Sequence, residues 1–273
     1  MSQTIRIGAL ISGSGTNLKA IMDSRESGKI NGKIVFVGSD NPEASGLEKV
    51  SRLGIPTFFV DYGSIIQRFK KAPGNVILPD DFDLDDVISK QSFFSADVDA
   101  EKVKAFIITR AVAEAKLLDE MKHYPFNLLV LAGFMRNLTP YFIDRVNTDP
   151  GSPRIMNIHP ALLPAFPGVD GYGDTFRYGC KVGGCTVHFV DYGEDSGPII
   201  GQKAYEILED DTIDTIREKG LKLEWSLYTE CISLFAEGRL KTVRTSYTLK
   251  SGKKMHRTVV KIAPPRMKKL QDL

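Results

Sequence analysis

The chain has 273 residues, 42% of them hydrophobic, which is enough to bury a full core without disulfide or metal staples. Its apolar runs are too short for a membrane span, MSQTIRIGAL lacks the apolar stretch of a signal peptide, and three cysteines suit reduced thiols in a cytoplasm. The net charge of +2 is uneven: residues 239–273 hold 11 Lys or Arg against the single acid Asp272, leaving 25 basic and 33 acidic residues, a net of −8, before them.

Residues 5 to 60 alternate apolar strands with helical stretches. Strands are expected at Ile5 to Ile11, Lys33 to Gly38 and Pro56 to Val60, with helices at Asn17 to Glu26 and Ala44 to Leu53. That rhythm predicts a parallel sheet with right-handed helical crossovers, so the fold class is α/β, Rossmann-like. Asp97 or Asp99 can cap a helix running from Ala100 to about Lys122. Strands follow at Asn127 to Ala132 and Arg154 to Ile158. The stretch 183–209 has no helical spacer and reads as antiparallel strands, and Asp211 to Glu237 as a long helix. The basic C-terminus reads as a hairpin, Thr242 to Leu249 and Lys254 to Ile262 around a Lys-Ser-Gly-Lys turn. No aromatic series accompanies its charges, so a solvated edge is expected rather than a nucleic-acid surface. The pieces predict one domain carrying an insert at about 61–96 and a hairpin at about 239–264.

That insert includes Pro79-Asp80-Asp81-Phe82-Asp83-Leu84-Asp85-Asp86, with enough apolar residues to pack on the body. Its acidity argues against contact with an anionic ligand, and it is expected to be a peripheral flap whose removal leaves the chemistry largely intact.

The segment RIMNIHPALLPAFPG, followed by GCTVHFVDYGEDSGPII, is the richest in chemistry. Strand alternation turns Asn157 and His159 to one side at a strand end, and Asp195 follows a later strand. An amide donor and a protonatable ring suit a carbonyl that becomes an oxyanion, and a carboxylate would keep the ring charged. The same residues also fit a plain strand ending in a capped turn. Cys180, Cys185 and His188 show a C-x4-C-x2-H spacing without a fourth ligand, and no metal is expected. Gly13, Gly15, Thr16 and Asn17, between a strand and a helix, offer backbone N–H groups to an anion, although the third glycine of the dinucleotide fingerprint is missing.

Asn-x-His-Pro-x-Leu-Leu-Pro, the His-Phe-Val strand, Asp-x-Gly-Pro-Ile-Ile, Ile11 to Leu18 and Leu131 to Arg136 together resemble the formyltransferases that use 10-formyltetrahydrofolate, in particular the phosphoribosylglycinamide branch. The resemblance covers residues 5 to 60 and 105 to about 240. It implies direct attack of the glycinamide ribonucleotide amine on the formyl carbon, with Asn157 and protonated His159 stabilising the oxyanion and Asp195 raising the pKa of the imidazole. It also implies that Gly15, Thr16, Asn17 and Glu224 hold the amine substrate. Met135, Arg136, Asn137 and Leu138, with Asp191, Tyr192, Gly193, Glu194 and Asp195, would surround the folate, and Arg110 would help to bind it. Leu221 and Asp170 depart from the expected pattern, and the glycines near Asp170 suggest a loosened loop. Small-molecule substrates are implied, with no membrane and no nucleic-acid partner, and a homodimer is left open. Water as acceptor (a deformylase), a tRNA-directed formyltransferase and a catalytically silent folate or nucleotide sensor are the rival readings.

Overall fold

A computed structural model describes residues 4–149 and 151–265. Arg266, Lys268, Lys269 and Asp272 of the basic stretch lie outside these described residues.

Strands β1 (Ile5–Ile11), β2 (Gly32–Ser39), β3 (Thr57–Phe59), β4 (Leu128–Leu131), β5 (Ile155–His159), β6 (Val182–Phe189) and β7 (Ile199–Glu206) form one sheet in the order β3-β2-β1-β4-β5-β6-β7. The pairs from β3 to β5 are parallel, while β5–β6 and β6–β7 are antiparallel, as the missing helical spacer predicted. From β1 the chain first builds outward to β3 and then returns to the other side of β1. The order therefore reverses between β1 and β4. In open sheets of this kind the crevice at the carboxyl ends of the strands beside that reversal is the place for a ligand.

Alternation along β1 sends its side chains into two cores. Ile7, Ala9 and Ile11 pack with Leu18 and Ile21 of α1 (Thr16–Glu26) and with Leu227, Tyr228 and Ile232 of α8 (Ile213–Ala236). Leu10 faces the other way, towards Ala113 and Leu117 of α5 (Ala100–Met121), Phe142 of α6 (Pro140–Val146), and Tyr62 and Ile65 of α3 (Tyr62–Lys71). α2 is the short helix Ser45–Ser51. Asp99, not Asp97, caps α5 by accepting from Lys102 N, and Thr212 caps α8. The hairpin of β8 (Leu240–Thr248) and β9 (Lys254–Ile262) closes the described chain, with Leu240 and Val260 against the core.

The insert is helical and rooted. After α3 come a short 3-10 turn (Pro73–Asn75) and α4 (Leu84–Lys90), capped by Asp83. Val87, with Phe82, Leu84, Ile88 and Phe94, packs on Ile107 and Tyr141. The residues 171–177, expected to be loose, form α7 (Gly171–Arg177). Asp170 caps this helix, accepting from Gly173 N at 3.2 Å, and its other oxygen pairs with Arg177 at 2.9 Å. The glycine-rich segment is thus helical behind an Asp170 N-cap, with an exposed ion pair from Arg177 back to the same carboxylate.

Candidate active site

The carboxyl ends of β1, β4 and β5 open into a cleft of about 330 Å³. Its floor begins where the loops after β1 and β4 are joined: Ser12 N donates to Gly133 O at 3.0 Å and Ser12 Oγ accepts from Met135 N at 2.8 Å. At the end of β5, Asn157 and His159 both face the cleft, as alternation required. The chain after His159 is pinned from beneath, where Thr186 Oγ1 donates to Ala161 O and Gln202 Nε2 donates to Leu163 O. Tyr228 OH binds the carbonyls of Leu131 and Met156, which ties β4 to β5 directly below the site.

Asp195 sits in the left-handed region (φ 49°), a conformation that Asp tolerates better than most residues. This turn points its carboxylate inward. Oδ2 lies 3.1 Å from His159 Nδ1 and accepts from Gly168 N at 2.9 Å, while Oδ1 lies 3.5 Å from His188 Nε2. Burial alone would raise the carboxyl pKa. The His188 contact, the His159 charge and the Gly168 N–H outweigh burial and hold it below the usual value. The other ring nitrogen of His159 lies 2.7 Å from Phe166 O. Both nitrogens thus face acceptors, and only the doubly protonated ring donates to both at once. Asn157 Nδ2 has only long contacts, 3.4 Å each to Asp195 Oδ1 and His188 Nε2, and is free to serve a ligand.

At one end of the cleft Glu224, on α8, is 4% exposed and accepts from Asn17 Nδ2 at 2.9 Å and from Tyr172 OH. Burial raises its pKa, and these two hydrogen bonds partly offset that effect. Asn17 Oδ1 is buried without a partner, an acceptor aimed at no protein donor. At the other end the loop Met135–Leu138 faces Gly193 and Glu194. Asn137 Nδ2 bridges to Glu194 Oε1 at 3.1 Å.

The chain matches the family described as Formyl transferase over residues 5–232. It is 31% identical to the phosphoribosylglycinamide formyltransferase of Bacillus subtilis, over 81% of this chain and 89% of that protein. It is also 31% identical to the Escherichia coli enzyme of that name, over 87% and 90%. The crystal structure of glycinamide ribonucleotide transformylase 1 from Symbiobacterium toebii is 35% identical, covers 96% of this chain and 95% of its own, and superposes with a TM-score of 0.67. The chain belongs to the formyl transferase family.

In this family member the cleft gathers Asn17, Met135, Arg136, Asn137, Leu138, Asn157, His159, Gly193, Glu194, Asp195 and Glu224 from the expected residues. Others stand apart for visible reasons. Gly15 (φ 69°) and Thr16 line a separate hollow of about 270 Å³ with Lys19 and Gly46. Arg110 is buried between the rings of Tyr62 (5.3 Å) and Phe106 (4.6 Å), with Nε and Nη1 unpartnered, and does not line the cleft. The Asp191 carboxylate is taken up by Gly193 N and Ser196 Oγ, and Tyr192 OH by Asp144, so these two shape the loop from behind.

Sequence reasoning missed His188, Tyr172 and Phe93. His188 was treated as a strand residue, yet the antiparallel register pairs it with Asn157 and so puts it on the same face. That signal is available once the β5–β6 pairing is assumed. Tyr172 was hidden in the segment expected to be loose. Phe93, from the insert that was expected to be peripheral, is among the residues that line the cleft. Among the described residues no group of three or more His, Cys, Asp or Glu is placed to hold a metal. Cys180, Cys185 and Cys231 are free thiols.

Proposed function

We propose that the protein transfers the formyl group of 10-formyltetrahydrofolate to the primary amine of phosphoribosylglycinamide, as a single cytoplasmic enzyme unit acting on small molecules. The observation that carries this reading is the convergence of Asn157, His159 and Asp195 midway between two differently built ends of one cleft. The relatives' names carry the same amine substrate and the same transferred group. The folate end is formed by residues 135–138 and 193–195, whose backbone suits the donors and acceptors of a pterin edge, with apolar walls from Leu131, Phe134 and Val190 for a flat ring system. The amine end is formed by Asn17, Tyr172 and Glu224, where the unpartnered Asn17 Oδ1 can accept from the glycinamide N–H.

The co-substrate supplies an electrophilic formyl carbon. The amine nitrogen attacks it, the carbonyl pair moves onto oxygen, the bond to N10 breaks, and the proton lost by the amine ends on N10. Asn157 Nδ2 donates to the developing oxyanion. His159 donates from Nε2 once that oxygen displaces Phe166 O. Asp195, 3.1 Å from Nδ1, holds the ring and its tilt while charge develops on the oxygen. The Gly15–Asn17 turn at the start of α1 favours the phosphate through its N–H groups.

The test is release of tetrahydrofolate. It should appear only when glycinamide ribonucleotide is present. Release into water alone would mean a deformylase, and none with either acceptor a tRNA-directed formyltransferase or a silent sensor.

A further inference from the structure

Part of the cleft wall comes from the insert, outside every motif residue. The chain leaving α4 turns sharply at Gln91, whose Oε1 accepts from Phe93 N at 2.9 Å and Phe94 N at 3.0 Å. Phe94 anchors the turn, its ring set edge-on to Phe106 at 5.1 Å. Beside it Ser92 N donates to Tyr192 O at 2.9 Å, and Lys90 Nζ joins Asp86 (2.7 Å) to Asp144 (2.9 Å), the residue that also receives Tyr192 OH. The fit against the next residue is close: a Cβ on Gly193 would stand 2.6 Å from Ser92 Oγ. On its other side the insert is fixed to α6, with Asp81 accepting from Arg145 and from Tyr141 OH. Ionic contacts thus pair two of the acids expected to repel a ligand, Asp81 and Asp86, and the turn is stitched to the loop that carries Asp195.

What this platform adds to the cleft lining is half-buried Phe93, whose ring centroid lies 6.4 Å from that of Phe106, together with Gly193 and Glu194. That is the folate end, away from Asn17 and Glu224. We infer that Phe93 is a binding residue for the co-substrate, stacking on the flat aminobenzoyl ring that follows the pterin. The inference rests on the folate reading given above. A rigidly mounted aromatic face with one side open recognises a planar aromatic group, because stacking adds to simple burial. The insert is therefore a wall of the site and a determinant of how much of the folate is gripped.

The experiment uses the full chain with Phe93→Ala, Phe93→Tyr and Phe93→Leu, varying each substrate in turn. Phe93→Ala should raise the KM for 10-formyltetrahydrofolate about five- to tenfold, the scale of losing one aromatic pair. The KM for glycinamide ribonucleotide should stay put, and kcat should hold within about twofold. Phe93→Tyr should restore the folate KM, and Phe93→Leu, which fills the space without a flat face and covers the case that the alanine variant fails to fold, should not. Inhibition separates the parts of the ligand: folic acid should weaken in Phe93→Ala, whereas 6-hydroxymethylpterin, which lacks the benzoyl group, should not. Equal weakening of both inhibitors, an unchanged folate KM, or a shift confined to the amine substrate would overturn the inference. Absence of amine-dependent turnover in the unaltered protein would instead overturn the underlying reading, while folic acid binding by the variants would still decide the role of Phe93.

Discussion

Glu114 makes stability a function of pH in a way that can be worked out in advance. It is fully buried on α5, and its two oxygens accept from Thr139 N (2.8 Å) and Thr139 Oγ1 at the start of α6. Burial raises its pKa; the two Thr139 contacts and the charges of Arg110 and Arg145 pull the other way, and the net position is about 7 against an ordinary 4.5. Between those values the folded protein keeps a proton that the unfolded chain releases. Its contribution is fully present below about 4.5, shrinks as pH rises, and is gone above about 7. At about 1.4 kcal/mol per pH unit the interval corresponds to about 3 kcal/mol. Glu114→Gln preserves both contacts, since its oxygen can accept from the amide and its NH2 can donate to the hydroxyl, but it cannot ionise. Urea unfolding of both proteins from pH 4 to 8.5 should show the variant gaining on the parent by about 3 kcal/mol towards the alkaline end. A difference that stays flat with pH would refute the reasoning and mean that Glu114 is no more proton-avid in the folded state than in the unfolded one.

Within the proposed chemistry, His159→Ala should lower kcat by about 10²–10³, the cost of one oxyanion-stabilising group, with folate KM little changed; near-normal turnover would remove His159 from the mechanism. Asp195→Asn keeps the side-chain shape and should cost about 10² or more in kcat. Because the Asp195 carboxyl lies below its usual pKa, the unaltered enzyme should not lose this charge anywhere between pH 5 and 8, and an activity loss in that window traced to Asp195 would contradict the structure. Gly15→Val places a β-branched residue at φ 69°, so thermal stability should fall by an amount on the order of 1–3 kcal/mol. Glycinamide ribonucleotide should then weaken more than folate, and equal weakening of both would argue against a phosphate site at the start of α1.

Where one local rule decides an outcome, the sequence already showed it. Alternation placed Asn157 and His159 together, the spacing of apolar runs marked the parallel strands, and the Ser251-Gly252 turn marked the hairpin. What escaped depends on partners distant in the chain. His188 joins the site only through its register opposite Asn157, and Phe93 only because Ser92 meets Tyr192 across 100 residues. Arg110 shows the limit from the other side: its motif position suggested a ligand contact, and the structure places it between the rings of Tyr62 and Phe106 outside the lining of the cleft. The glycines of α7 suggested slack until Asp170 was seen to cap the helix and pair with Arg177.

The hydrogen bond from Asn17 to Glu224 spans 207 positions of the chain. On the proposed assignment of Asn17 and Glu224 to the amine substrate, one side of that pocket is in place once α1 packs on β1, and the other arrives only when α8, which follows β7 in the chain, docks on the finished sheet. A ribosome-bound or truncated chain that has made everything up to β7 therefore owns most of the enzyme's core and none of its complete amine pocket. Substrate can stabilise only the molecule in which both ends of the chain have met, by an amount that grows with its concentration over Kd. On that assignment ligand occupancy doubles as a readout of finished folding, and a chain that stops before α8 could not hold the amine substrate at the complete site.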